Sequence, residues 1–240
     1  MGLNLIRFPP GLQPFRPCTG LSTLLDLRSA TIVSRAFSCR SPRDWLGLQA
    51  RERPDAPALT WRGQTLDYAS LARAARQWAG ALEAAGLGPG QVLGLSTTDP
   101  WLTVAALYGS LQAGVVLLPL DPALAPQRRA LLLSQAGCTR LLSDRAVPPP
   151  IRHLSPDVLL CPGGPPPSRA AGTGAGCGII NATSGTSGEP KGVMLTMANI
   201  AAAVGAARRR IPLGPGDCWL DPLPLFHIGG LSVFFRALEA

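Results

Sequence analysis

The chain has 240 residues, of which 46% are hydrophobic, and a formal net charge of +8. This length and apolar content suffice for one large α/β domain or two small ones. No basic stripe with interleaved aromatic residues follows residue 43, so we expect no nucleic-acid binding. The six cysteines form no CxxC pair and no zinc-type spacing with the two histidines, which predicts reduced thiols and no metal site.

Residues 1–43 differ in composition from the rest of the chain. They contain six arginines and one acid, contribute +5 to the net charge, and are also rich in Ser and Pro. This composition resembles a mitochondrial or plastid transit peptide, and a disordered or untranslated leader before the true start is an equal alternative. Without a transit peptide, we expect a cytoplasmic location.

The first elements predicted after this leader are a β-hairpin and a helix. Ala58–Trp61 and Gln64–Tyr68 are short β-type runs separated by two residues. We expect Ser70 to cap the helix and Gly86 to end it. The helix has an apolar stripe at positions i, i+4, i+7 and i+11, formed by Leu71, Ala75, Trp78 and Leu82.

Residues 101–120 contain no charge and are long enough to cross a membrane. Gly109 and Gly114 help to divide the stretch into a helix-like half and a β-branched half, which ends at Pro119. We therefore expect a buried helix that leads into a buried strand, and no membrane span.

Strands and helices alternate over the middle of the chain. The predicted strands are Val92–Ser96, Val115–Pro119 and Thr139–Ser143, and the predicted helices are 101–113 and Pro126–Gln135. This alternation predicts an α/β fold with a mostly parallel, doubly wound sheet. Residues 146–176 are rich in Pro and Gly, so we expect a surface connector without a regular ladder, with His153 at the surface.

A loop rich in hydroxyl groups and glycine follows the apolar strand Cys177–Ala182. It leads to Lys191, the only lysine among 22 basic residues, and then to an apolar run that predicts a second strand. Hydroxyls, flexible backbone amides and one ammonium suit polyphosphate binding. The candidate phosphate-binding residues are Thr183, Ser184, Gly185, Thr186, Ser187, Gly188 and Lys191.

The two most common phosphate-loop patterns do not match this loop. A Walker loop requires Gly-Lys-Ser/Thr, whereas Pro190 precedes and Gly192 follows the lysine. The glycine spacing does not match the GxGxxG dinucleotide pattern either. A flexible Ser/Gly linker remains an alternative, but it does not explain the preceding strand or the Pro-Lys-Gly ending.

Four segments resemble the adenylate-forming superfamily, which includes acyl- and aryl-CoA synthetases, luciferases and peptide-synthetase adenylation domains. Thr183–Gly192 is similar to its phosphate-loop signature. The other three segments are Leu66–Leu71, Ala113–Pro122 and Leu223–Leu231. The resemblance implies that residues 44–240 form the N-terminal part of the adenylate-forming fold. One subtype that the pattern allows is an o-succinylbenzoate–CoA ligase.

The resemblance implies ATP-dependent activation of a carboxylic acid as an acyl-adenylate, with Mg²⁺, followed by transfer to CoA. Phe226, His227 and Gly229 would line the carboxylate pocket, although a histidine among apolar residues is by itself more typical of a packed core. Amino-acid-activating members tend to have Asp after the aromatic residue. Because His227 stands there, we expect an acyl or aryl substrate without an α-amine.

Several parts of the family pattern do not occur in these 240 residues. There is no Tyr-Gly-x-Thr-Glu segment, no ribose-binding aspartate segment, and no C-terminal domain with its catalytic lysine. We therefore assign no catalytic residue and expect a truncated chain that is inactive alone. A non-enzymatic remnant or interaction module, and an unrelated protein with a convergent loop, are the alternatives; the oligomeric state is not predicted.

Overall fold

A computed structural model describes residues 45–145, 150–155, 176–183 and 191–239. The helices are α1 (Trp45–Glu52), α2 (Tyr68–Ala84), α3 (Pro100–Ala113), α4 (Pro126–Gln135), α5 (Met197–Arg210) and α6 (Ile228–Glu239). The strands are β1 (Pro57–Trp61), β2 (Gln64–Asp67), β3 (Val92–Ser96), β4 (Val116–Pro119), β5 (Arg140–Ser143), β6 (Arg152–Leu154), β7 (Cys177–Thr183) and β8 (Lys191–Thr196).

The predicted hairpin and first long helix are confirmed, with one correction at the helix start. Strands β1 and β2 pair antiparallel, and α2 begins at Tyr68. The N-cap is Asp67, whose carboxylate accepts a 2.7 Å hydrogen bond from the Ser70 N–H, so the prediction of Ser70 as the cap is wrong. The carboxylate satisfies an N–H group of the first turn that has no partner within the helix. Its negative charge also interacts favourably with the positive end of the helix dipole.

A six-stranded sheet in the order β6-β5-β3-β4-β7-β8 forms the centre of the fold. All neighbouring pairs are parallel except the antiparallel β7 and β8, so the predicted mostly parallel, doubly wound sheet is confirmed. Alternating residues of the strands face opposite sides. Leu117 packs with α2 and α3, whereas Leu118 packs with α4.

The charge-free stretch is a buried helix and a buried strand, as predicted. Asp99 caps α3 by accepting a hydrogen bond from the Trp101 N–H at 2.8 Å, and Gly114 ends the helix in a left-handed conformation with φ 72°. Within the part of the chain that the structure describes, no helix is long and apolar enough to span a membrane.

One short strand lies inside the proline- and glycine-rich connector. Arg152–Leu154 pairs parallel with β5 as β6, so the expectation of no regular ladder through 146–176 is wrong. The residues between Pro150 and Pro156 contain no proline, which leaves room for a short edge strand. His153 is exposed, as expected, and its Nε2 lies 2.8 Å from the Ser143 carbonyl oxygen. Residues 146–149 and 156–175 lie outside the described part.

Candidate functional site

The hairpin of β7 and β8 carries the two ends of the predicted phosphate loop. Thr183 ends β7 and lies opposite Lys191, the first residue of β8. The Thr183 hydroxyl donates a 3.3 Å hydrogen bond to the Lys191 carbonyl oxygen. The predicted strand–loop–strand context of the lysine is therefore confirmed. The remaining candidates lie outside the described residues: Ser184, Gly185, Thr186, Ser187 and Gly188.

The strand that begins at Lys191 passes close to a side chain of β7. A Cβ on Gly192 would lie 2.7 Å from Ile180 Cγ2, so a larger residue at this position of β8 would require Ile180 to shift. Lys191 itself is exposed and, with Met194, lines a mainly apolar groove of about 880 Å³. Met194 is 66% exposed. The ammonium thus belongs to an open surface next to apolar side chains, where it remains accessible to an anionic ligand.

The second candidate segment forms a turn immediately before α6. The His227 N–H donates to the Pro224 carbonyl oxygen at 3.1 Å, and the rings of Phe226 and His227 lie 4.7 Å apart. His227 and Gly229 are exposed and Phe226 is half-buried. The interpretation of His227 as a packed core residue is therefore wrong, because the turn directs it to the surface.

Phe226 lines an open cleft of about 340 Å³ beside the carboxyl ends of β3 and β4. Thr97, Thr98 and Pro122 contribute to the same cleft. The connections after β3 and β4 lead to helices that pack on opposite faces of the sheet. In open α/β sheets, ligands bind in the crevice at such a switch point. This cleft is thus placed where a small-molecule substrate is expected.

The threonines of this cleft are held by a carboxylate that was not predicted from the sequence. Asp144 accepts a hydrogen bond from the Thr97 hydroxyl at 2.7 Å and from the Thr98 N–H at 3.3 Å. Asp144 follows β5, so the loops after two neighbouring strands are joined. Only the parallel pairing of β3 and β5 brings these residues together, and no local sequence signal marks them.

Asp221 is a second residue that was not predicted from the sequence. It is 3% exposed, its Oδ1 accepts a 3.1 Å hydrogen bond from the Leu223 N–H, and its Oδ2 has no hydrogen-bond partner among the described residues. Burial raises the pKa of this carboxyl to about 6, against the lowering effect of the Leu223 hydrogen bond. A lone acid in the apolar run from Trp219 to Leu225 was the available signal.

A buried amide connects the two candidate segments. The Asn181 side-chain oxygen on β7 accepts a 3.1 Å hydrogen bond from the N–H of Ile228, the first residue of α6. Lys191 and Phe226 line different cavities, so this hydrogen bond connects two segments that belong to separate pockets. Among the described residues, no group of three His, Cys, Asp or Glu side chains is arranged to hold a metal ion.

Comparison with known protein families decides the relationship of this chain. A family model described as "AMP-binding enzyme" matches residues 46–239. The chain belongs to this family. Its relatives include acid–CoA ligases and a dimodular nonribosomal peptide synthase.

Curated relatives of this chain include two CoA ligases. The chain is 29% identical over 208 residues to a sulfoacetate–CoA ligase of Cupriavidus necator, which covers 78% of the chain and 41% of that protein. It is also 29% identical over 202 residues to a 2-succinylbenzoate–CoA ligase of Bacillus licheniformis, which covers 81% of the chain and 42% of that protein. The chain thus spans about two fifths of the length of these relatives.

A solved structure with the same architecture contains a nucleotide. The o-succinylbenzoate coenzyme A synthetase of Bacillus subtilis, in complex with ATP and a magnesium ion, matches with a TM-score of 0.75 and 26% sequence identity. The match covers 81% of this chain and 54% of that chain. The α/β fold is therefore that of the N-terminal part of an adenylate-forming enzyme.

Proposed function

We propose that residues 44–240 are the N-terminal AMP-binding part of an acid–CoA ligase. A protein of the relatives' length would convert a carboxylic acid and ATP to an acyl-adenylate and pyrophosphate, and then form a CoA thioester. The observation that carries this proposal is the position of the only lysine. Lys191 begins β8 directly opposite Thr183, at the two ends of the family's phosphate-loop signature.

In this proposal, the hairpin end binds the phosphates of ATP and the departing pyrophosphate. The Lys191 ammonium and the hydroxyl and amide groups of residues 183–188 supply charge-assisted hydrogen bonds to anionic oxygens. Donors fixed near developing negative charge stabilise the transition state without reorganisation. Mg²⁺ would supply further charge neutralisation when bound with ATP.

The carboxylate would bind on the side of the cleft lined by Phe226, with His227 in the adjoining turn and Gly229 at the start of α6. Support comes from the apolar and threonine lining at the switch point of the sheet. No acid follows Phe226 to pair with an amine, which favours an acyl or aryl acid. The CoA ligases among the relatives agree with this substrate class.

A non-enzymatic remnant that retained the phosphate loop is the second candidate. The family's second, catalytic lysine has no counterpart in these 240 residues, because Lys191 is the only lysine. We accordingly expect little or no synthetase activity from this chain alone. Residues 1–43 remain a proposed leader, with a cytoplasmic location or, if they are a transit peptide, an organellar one.

Carboxylate-dependent exchange between ATP and pyrophosphate tests the proposal. We would extend the reading frame beyond Ala240 and assay the product with aromatic and aliphatic acids. A downstream Tyr-Gly-x-Thr-Glu segment and exchange that Lys191→Ala abolishes are expected for a ligase. An immediate stop codon favours the remnant, and exchange that Lys191→Ala leaves unchanged rules out the assigned phosphate-binding role.

A further inference from the structure

Asn181 is a polar side chain in an otherwise apolar part of β7. It is 9% exposed and follows Ile179 and Ile180, which belong to the cores on the two faces of the sheet. Alternation along the strand places Asn181 on the same face as Ile179, where α5 and α6 pack. A buried amide on this face requires a hydrogen-bond partner.

That hydrogen-bond partner lies at the start of α6, directly after the turn that contains Phe226 and His227. The Asn181 Oδ1 accepts the Ile228 N–H at 3.1 Å, across 47 positions of sequence. The first N–H groups of a helix have no partner within the helix, so this bond satisfies one of them from another element. The bond ties the start of α6, with Phe226 and His227 just before it, to the strand that ends at Thr183.

We propose that Asn181 is a positioning residue. Its side chain holds the turn before α6 in a fixed position relative to the β7–β8 hairpin, which carries Thr183 and Lys191. The inference rests on the proposed function. It adds that ligand binding at the hairpin is transmitted to the turn before α6 through one side-chain hydrogen bond. Because the Ile228 N–H donates to a side chain of β7, a ligand that orders the hairpin would also change the hydrogen exchange of this N–H.

The test uses the full 240-residue chain, MgATP as the probe, and amide hydrogen exchange at Ile228 as the readout. In the wild type, we expect saturating MgATP to slow Ile228 exchange by roughly fivefold, the equivalent of strengthening one hydrogen bond. Asn181→Leu should bind MgATP but lose this response. Asn181→Asp keeps an acceptor oxygen, and its charge suits a helix N-terminus, so it should restore the response.

The matched control is Asn199→Ala. The Asn199 side chain also accepts a backbone N–H at a helix start, that of Thr196 at 3.0 Å, but it caps α5 instead of joining β7 to α6. This variant should weaken α5 while leaving the Ile228 response to MgATP intact. A general loss of stability would affect both variants, whereas a positioning role affects only Asn181.

The outcomes separate the inference from the proposed function. A wild-type response in Asn181→Leu, or a lost response in a folded Asn181→Asp, overturns the positioning role and leaves the phosphate-binding role of the hairpin standing. If Asn181→Leu does not fold, Asn181→Asp and the control still decide the result. If the wild-type chain does not bind MgATP at all, the proposed function fails and the inference fails with it.

Discussion

Lys191 differs from the other basic residues of the chain in both its head group and its position. Its ammonium is a compact point charge, whereas the 21 arginines of the chain present a planar fork of donors. It also stands at the end of the antiparallel hairpin where residues 184–190 connect β7 to β8, opposite Thr183. In the proposed function, a compact ammonium at this position binds phosphate oxygens as a point charge.

Replacing Lys191 by Arg therefore tests the geometry separately from the charge. We expect Lys191→Arg to bind MgATP more weakly than the wild type, by about tenfold, because the bulkier head displaces a charge-assisted hydrogen bond. Arg209→Ala, which removes an exposed cation at the end of α5, should leave binding unchanged. Calorimetric titration measures both, and equal affinities for Lys191→Arg and wild type would contradict the geometric role.

The buried carboxyl of Asp221 predicts a specific pH dependence of stability. Its pKa is about 6 in the folded chain against 3.8 for the exposed group. The folded state therefore binds this proton more tightly, and the free energy of unfolding decreases as pH rises from about 4 to 6. A shift of this size corresponds to about 2–3 kcal/mol.

Asp221→Asn should remove the decrease in the free energy of unfolding that accompanies the rise in pH. Urea denaturation at pH 4 and at pH 7 would show a smaller difference for the variant than for the wild type. Asp217→Asn is the control, because Asp217 is exposed and its carboxylate accepts the Gly214 N–H at 2.8 Å. If Asp221→Asn retains the full pH dependence, burial of this carboxyl is not its source.

Helices α2 and α3 meet through a glycine, which makes their packing sensitive to a single methyl group. A Cβ on Gly109 of α3 would overlap Trp78 Cβ and lie 3.0 Å from the Ala75 carbonyl oxygen of α2. Ala usually favours a helix over Gly by about 1 kcal/mol. Here the steric overlap costs more free energy than helix propensity gains, because neither the Trp78 Cβ nor the Ala75 carbonyl of α2 can move aside.

Gly109→Ala should consequently lower the free energy of unfolding by about 1–3 kcal/mol. The control is Gly205→Ala on α5, where an added Cβ would meet nothing within 4 Å. That substitution should raise stability by up to about 1 kcal/mol through helix propensity. Thermal or urea denaturation measures both changes, and stabilisation by Gly109→Ala would contradict the close packing of α2 on α3.

The elements that the sequence predicted well depend on local patterns. The bounds of α4 follow from Pro126 and from Gly137 just beyond its end, and the stripe of α2 is buried as its spacing predicts. What was missed depends on contacts between distant residues. Strand β6 exists because β5 offers it an edge, and the partner of Asn181 is 47 positions away. Periodicity contains no information about such pairs.

The described part of the molecule consists of a six-stranded sheet with helices on both faces and a separate β1–β2 hairpin, and its candidate residues lie on the β7–β8 hairpin, in the turn before α6 and at the start of α6. The hairpin and the turn before α6 are far apart in sequence and are joined through β7. The chain spans about two fifths of the length of these relatives, so complete catalysis is proposed only for a protein of their length. The proposed binding of the nucleotide phosphates, in contrast, would depend on the β7–β8 hairpin, which this chain contains.

Calorimetric titration of the 240-residue chain with MgATP, comparing wild type with Lys191→Ala, tests the phosphate-binding role of the hairpin most directly. The wild type should bind, and the variant should lose on the order of 10- to 100-fold in affinity, as expected for removal of charge-assisted hydrogen bonds. Unchanged circular dichroism would show that the variant is folded. Equal affinities of the two proteins, or no binding by the wild type, would contradict the assignment of Lys191 to the phosphates.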